Sequence, residues 1–87
     1  MKSKLDSVFI FTGNNCPGCD MAKKVFTEKG IPFTTGDLIE NLSKAREYGF
    51  RAVPGFVVTY SDGKEVIMTG KDSILPIVKM FTGEVDE

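Results

Sequence analysis

Four consecutive apolar residues, Val8-Phe9-Ile10-Phe11, place the strongest constraint on how this chain can fold. Successive side chains of a strand point to opposite sides, so a strand with one wet face alternates apolar and polar residues. A strand apolar at every position has to be covered on both faces, as a central strand of an α/β sheet is. The run is far too short to span a membrane or to form the core of a signal peptide.

The segments that follow supply the cover. Thr12-Gly13-Asn14-Asn15 has the composition of a loop. A helix is predicted from about Pro17 to Lys29, with Ala22, Val25, Phe26 and the stem of Lys29 on one face. Lys23, Lys24, Thr27 and Glu28 fall on the other face. Gly30 stands at the C′ position with Pro32 two residues on, a strong stop signal. Pro32-Phe33-Thr34-Thr35 reads as a short second strand. Such a strand–helix–strand unit of roughly thirty residues is a βαβ crossover, so the two strands are expected to be parallel. Asp37 and Glu40 could form a capping box for a second helix running to Tyr48, with Asn41 as the competing start and Gly49 as the end.

The last third changes character. Phe56-Val57-Val58-Thr59-Tyr60 is β-branched and aromatic and reads as a strand. Asp62-Gly63 occupies the two-residue position of a type I′ hairpin, and Glu65-Val66-Ile67-Met68-Thr69 is the antiparallel return. Gly70 breaks it. Asp72 or Ser73 then caps a final helix through Phe81, with Pro76 tolerated in its first turn. The tail Gly83–Glu87 is polar and expected to fray. The order is βαβαββα, a mixed α/β arrangement of four strands and three helices in one domain spanning residues 1–87.

Composition narrows the function classes. A net charge of −1 offers no basic face of the kind nucleic acid requires, and nothing suggests a membrane partner. The expectation is a soluble, cytoplasmic chain. It holds two cysteines and no histidine. Cys16 and Cys19 would close too small a loop to staple a fold usefully. A structural zinc site needs about four Cys or His ligands, more than one chain supplies. A redox pair is the simplest remaining reading, and half of a metal or cluster site shared between two chains is the other.

Position favours the redox reading. The predicted boundaries put Cys16 at the N-cap of the first helix, Pro17 at N1, Gly18 at N2 and Cys19 at N3. Proline suits N1, where its missing N–H has no helical partner. A thiolate at the N-cap faces free N–H groups and the positive end of the helix dipole, which lower its pKa. Cys19, nearer the helix body, is expected to be less exposed. Cys16 would then attack a substrate disulfide, and Cys19 would attack Cys16 to release the reduced product. Lys23 lies four residues beyond Cys19 on the same face and could tune it, although a solvated lysine is the simpler reading.

Cys16-Pro17-Gly18-Cys19 behind an apolar strand, followed by Ala52-Val53-Pro54 ahead of another, resembles the glutaredoxin branch of the thioredoxin superfamily. The likeness runs from Val8 to about Phe81. It implies strand order 2-1-3-4 with helices on both faces of the sheet. It also implies that Pro54 is cis and lies against the dithiol, with the Val53 backbone offered to the substrate. Within that branch, Tyr48-Gly49-Phe50-Arg51-Ala52-Val53-Pro54 looks like the pattern of the NrdH redoxins, which take electrons from thioredoxin reductase and deliver them to ribonucleotide reductase. Gly70-Lys71-Asp72 instead resembles the Gly-x-Asp that holds the γ-glutamyl end of glutathione in glutaredoxins. Glutaredoxins commonly carry lysine, tyrosine and threonine where this chain has Gly13, Gly18 and Ala52; Arg51 and Lys71 could supply positive charge toward a glutathione carboxylate.

The expected function is therefore a monomeric dithiol–disulfide oxidoreductase acting on protein disulfides, with ribonucleotide reductase as a candidate substrate and no bound cofactor or metal. The alternatives are a glutaredoxin that uses glutathione as co-substrate and, in another class, a dimeric iron–sulfur cluster carrier. The candidate residues are Cys16 and Cys19 for catalysis, Pro17 and Gly18 in the active-site loop, and Arg51, Val53, Pro54, Gly70, Lys71 and Asp72 for substrate.

Overall fold

In the computed structural model, which describes residues 4–83, the apolar run lies in strand β1 (Leu5–Thr12), flanked by two other strands. Helix α1 (Pro17–Lys29) leads to β2 (Phe33–Asp37) and α2 (Leu42–Tyr48) to β3 (Gly55–Tyr60). β4 (Glu65–Thr69) follows, then a 3₁₀ turn at Lys71–Ser73 and α3 (Ile74–Thr82). The sheet order is β2-β1-β3-β4, with β1 parallel to β2 and antiparallel to β3, and β4 antiparallel to β3. This is the mixed four-stranded arrangement that the resemblance implies. Among the described residues no helix is long and apolar enough to cross a membrane.

Both faces of the sheet are covered, as an all-apolar central strand demands. On one face Val8, Ile10, Phe56 and Val58 pack under Ala22 and Phe26 of α1 and Ile74, Ile77 and Val78 of α3. On the other, Phe11 and Val57 pack with Ala45 of α2 and with Phe50. Phe11 and Phe50 have ring centroids 5.0 Å apart. The period-two rule thus divides β1 between two cores.

Register brings three strand ends together. Phe11 pairs with Gly55 and Gly55 with Thr69. The exit of β1, the entry to β3 and the exit of β4 therefore lie side by side at one end of the sheet. That end carries the loop to Cys16, the Val53–Pro54 segment and the turn at Gly70.

Several local expectations need correction. β1 starts at Leu5 instead of Val8; Leu5 is buried and pairs with Tyr60, and the register shifts between Leu5 and Ser7. Polar Asp6 and Ser7 hide this extension, because backbone pairing does not require an apolar side chain. β2 is displaced toward Asp37, since its pairing with β1 continues to Thr12 opposite Asp37. Pro32, with no N–H, contributes only its carbonyl, which accepts from Val8 N at 3.0 Å.

The second helix takes the Asn41 start. Asp37 Oδ2 accepts from the N–H groups of Ile39 and Glu40, at 2.9 and 3.2 Å, and so shapes the turn before the helix instead of capping it. The β3–β4 connection is not a type I′ turn, which needs positive φ at both central residues. Gly63 has φ of 92°, whereas Asp62 does not have positive φ. Gly63 N donates to Tyr60 O at 2.9 Å, and Tyr60 N donates to Lys64 O at 2.8 Å. This is a three-residue loop with glycine in the left-handed position. Neither Asp72 nor Ser73 caps α3 through its side chain, because Ser73 Oγ donates to Thr69 O at 2.7 Å. Gly83 ends α3 as its C-cap with φ of 79°, and the rest of the expected frayed tail lies outside the described residues.

Candidate active site

Cys16 is the N-cap of α1 and Pro17 is its first residue. The turn that sets them there depends on Asn15, which has φ of 53° and is the only described non-glycine residue with positive φ. Asparagine tolerates that region better than most residues. The Cys16 carbonyl accepts from the N–H groups of Cys19 and Asp20, both at 3.1 Å, and Cys16 Sγ accepts from Cys19 N at 3.1 Å. The sulfur therefore sits at the helix N-terminus, sharing the Cys19 N–H with the Cys16 carbonyl. A thiolate formed there on reduction is stabilised by that N–H and by the helix dipole.

Cys16 and Cys19 are joined as a disulfide, with Cα atoms 5.2 Å apart. The two residues differ in access. Cys19 is 1% exposed and Cys16 8%. Cys16 is thus less open than an exposed N-cap implies, because the Val53–Pro54 segment and Lys71 crowd the loop. It nevertheless lines a shallow cavity of about 240 Å³ with Asn15, Pro17, Gly18, Val53, Pro54, Gly70 and Lys71. Cys19 does not line that cavity. An incoming disulfide reaches Cys16 first.

The opposite wall is the loop before β3. The Val53–Pro54 peptide bond is cis. Among the described residues, the backbone N–H and C=O of Val53 make no hydrogen bond. Pro54 is held more firmly, its carbonyl accepting from Gly70 N at 2.9 Å. A Cβ added to Gly18 would stand 3.1 Å from Pro54 Cδ and 3.2 Å from Lys71 Cβ. A Cβ added to Gly13 would stand 3.2 Å from Val53 Cγ2. Both glycines thus allow the substrate-side segments to close on the dithiol loop.

The remaining candidates divide. Gly70 and Lys71 lie at the Cys16 cavity. Arg51 lies in an adjoining cavity of about 310 Å³, lined also by Gly49, Ala52, Val53, Pro54, Thr69 and Gly70. Asp72 lies elsewhere, in a hollow with Met21, Val25, Lys71, Ile74 and Leu75. The 3₁₀ turn explains the separation, since it sends successive side chains in different directions. Lys23 does not reach toward Cys19 but approaches Asp20 Oδ1 at 3.7 Å, both side chains being well exposed. Asn15 is a site residue that the loop composition of Thr12–Asn15 does not single out; an asparagine next to a helix-capping cysteine is its only signal.

Similarity to known proteins agrees with this geometry. The glutaredoxin family model matches residues 8–61, a segment that includes the cysteine pair and Val53–Pro54. No curated protein sequence matches significantly. Among solved structures, reduced thioredoxin from Schistosoma mansoni superposes with a TM-score of 0.71 at 23% identity, covering 94% of this chain and 81% of that one. Spinach chloroplast thioredoxin f gives 0.67 at 22% identity, covering 92% and 78%. A thioredoxin variant from Halobacterium salinarum gives 0.66 at 25%, covering 92% and 77%. The structural likeness establishes the thioredoxin-like fold, and the sequence match extends over more than half of the chain. With its paired cysteines at the head of α1, the chain belongs to the glutaredoxin family and is a thiol–disulfide oxidoreductase.

Proposed function

We propose that the chain reduces protein disulfides by a dithiol cycle in the cytoplasm, acting as a monomer and drawing electrons from thioredoxin reductase. Ribonucleotide reductase is the proposed substrate. The observation that carries the reading is the unpaired Val53 backbone beside Cys16, a short edge on which an extended peptide can pair. In the cycle, the Cys16 thiolate attacks one substrate sulfur, and the other substrate sulfur leaves as a thiolate and takes a proton. Cys19 then attacks Cys16 Sγ, and the second substrate thiol departs. Two electrons pass to the substrate, and the Cys16–Cys19 disulfide is left to be reduced again.

The electron source is argued from the likeness of Tyr48–Pro54 to the redoxin pattern and from Gly13 and Gly18 standing where glutaredoxins commonly carry lysine and tyrosine. A second reading, reduction of glutathione mixed disulfides, draws support from Gly70 and Lys71 at the Cys16 cavity. NADPH oxidation separates the two. Turnover with thioredoxin reductase, and none with glutathione plus glutathione reductase, is the expected result. The reverse pattern would replace the first reading with the second.

A further inference from the structure

Beyond Arg51 the surface does not end. A third hollow, of about 510 Å³, is lined by Leu38, Ile39, Leu42 and Phe50 together with Arg46 and Arg51. It shares Gly49 and Arg51 with the hollow at Val53–Pro54, which in turn shares Val53, Pro54 and Gly70 with the Cys16 cavity. The three hollows adjoin in a row, from the reactive sulfur, past the free Val53 backbone, to an apolar shelf beside α2. Ile39 is 72% exposed and Leu42 37%, although most apolar residues of this small chain are spent on its cores.

The charges on that shelf are of one sign. Arg46 and Arg51 are its only charged lining residues, and neither has an ion-pair partner among the described residues. Resting on the protein-disulfide reading above, we propose that this row of hollows docks an extended substrate segment carrying acidic and apolar residues on one side of its reactive cysteine. Val53 pairs with the segment's backbone, Arg51 and Arg46 meet its carboxylates, and the Leu38–Ile39–Leu42 shelf takes an apolar side chain. Val53 and Arg51 are two residues apart, at most ~7 Å along the chain, so the first carboxylate belongs within about four residues of the cysteine.

The test uses the 87-residue Cys19→Ser chain in its reduced form. Short peptides with one cysteine, held as a mixed disulfide with thionitrobenzoate, are presented to it. Cys16 attacks the peptide sulfur, thionitrobenzoate leaves and is read by absorbance, and the peptide remains bonded to Cys16. One peptide has Glu and Leu beside its cysteine, and the other has Lys and Ser. The acidic peptide should react about three- to tenfold faster at low salt, with the ratio shrinking as salt is raised.

Arg46→Glu should bring the ratio to one or below, and Ile39→Ser should reduce it when Leu and Ser peptides of equal charge are compared. Taking the ratio within each variant cancels any general loss of activity. Equal rates for the two peptides, or a ratio untouched by Arg46→Glu, would overturn the docking proposal and leave the protein-disulfide reading standing. If neither peptide reacts while a glutathione mixed disulfide does, the protein-disulfide reading itself falls, and the docking proposal with it.

Discussion

At Cys16 and Cys19 the order of chemistry follows from which residue lines the cavity. Cys16 meets solvent through the cavity and accepts a helix N–H, while Cys19 lies behind it with almost no surface. Cys16→Ser should abolish disulfide reduction altogether. Cys19→Ser should instead accumulate a covalent substrate adduct on Cys16, visible by intact mass and released by dithiothreitol. An adduct carried by Cys19 in a Cys16→Ser protein would reverse the assignment. A second residue-scale demand lies at Gly55, which follows Pro54. A Cβ there would stand 2.6 Å from Phe50 Cδ1 and 2.8 Å from Cε1. Phe50 is 4% exposed and packed on Phe11, so its ring can yield to that Cβ only by turning toward the hollow beside α2 and giving up this packing. Gly55→Ala should therefore lower stability by about 1–3 kcal/mol, the usual range for overpacking a filled core. Urea unfolding measures it, and an unchanged midpoint would mean that the Phe50 ring is not confined.

Between elements, the site is held by the turn that leaves β4. Gly70 has φ of 85° and ψ of 158°, a combination open to almost no residue but glycine. Its N–H donates to Pro54 O, and Ser73 Oγ returns to Thr69 O, so the turn ties β4 to the Pro54 segment. Gly70→Ala should cost about 1–3 kcal/mol in urea unfolding and also slow peptide-disulfide reduction, because the strain is relieved only by moving the Pro54 anchor. Loss of stability with full activity would show that the tie is structural alone. These links were the least legible part of the sequence. α1 could be read from Pro17 to Lys29 because proline at N1, glycine at C′ and an apolar stripe all report local forces. Cys16 and Cys19 were legible for the same reason. The identity of the α2 cap was not, since Asp37 and Asn41 both satisfy local preference and tertiary pairing of β2 decides between them. The Gly-x-Asp motif groups Asp72 with Gly70 and Lys71, and only the course of the 3₁₀ turn separates it from the cavity. Arg46 carried no motif at all; its relation to the site depends on where α2 lies relative to β3.

Across the molecule, the two faces of the sheet are unequally secured. α1 buries Gly18, Cys19, Ala22 and Phe26, and α3 buries Ile74, Ile77 and Val78, whereas α2 buries only Ala45. α2 is also only seven residues long, too short to hold itself together without packing. Local opening follows the density of buried contacts, so the α2 face should open at lower free energy than the α1–α3 face. The consequence is functional, because the α2 face carries the adjoining hollows from Val53 to Arg46, while the dithiol is mounted on the firmer helix. Such a division keeps the reacting sulfurs fixed and lets the surface that meets the substrate adjust to it. Native-state hydrogen exchange should find the amides of Ala45, Arg46 and Glu47 exchanging by local opening, with little dependence on denaturant. Those of Ala22 to Phe26 should exchange only through global unfolding, with the full denaturant dependence. Equal protection in the two helices would mean that the few contacts around Ala45 and Phe50 fasten α2 as tightly as the larger core fastens α1, and the adjustable-surface argument would fail.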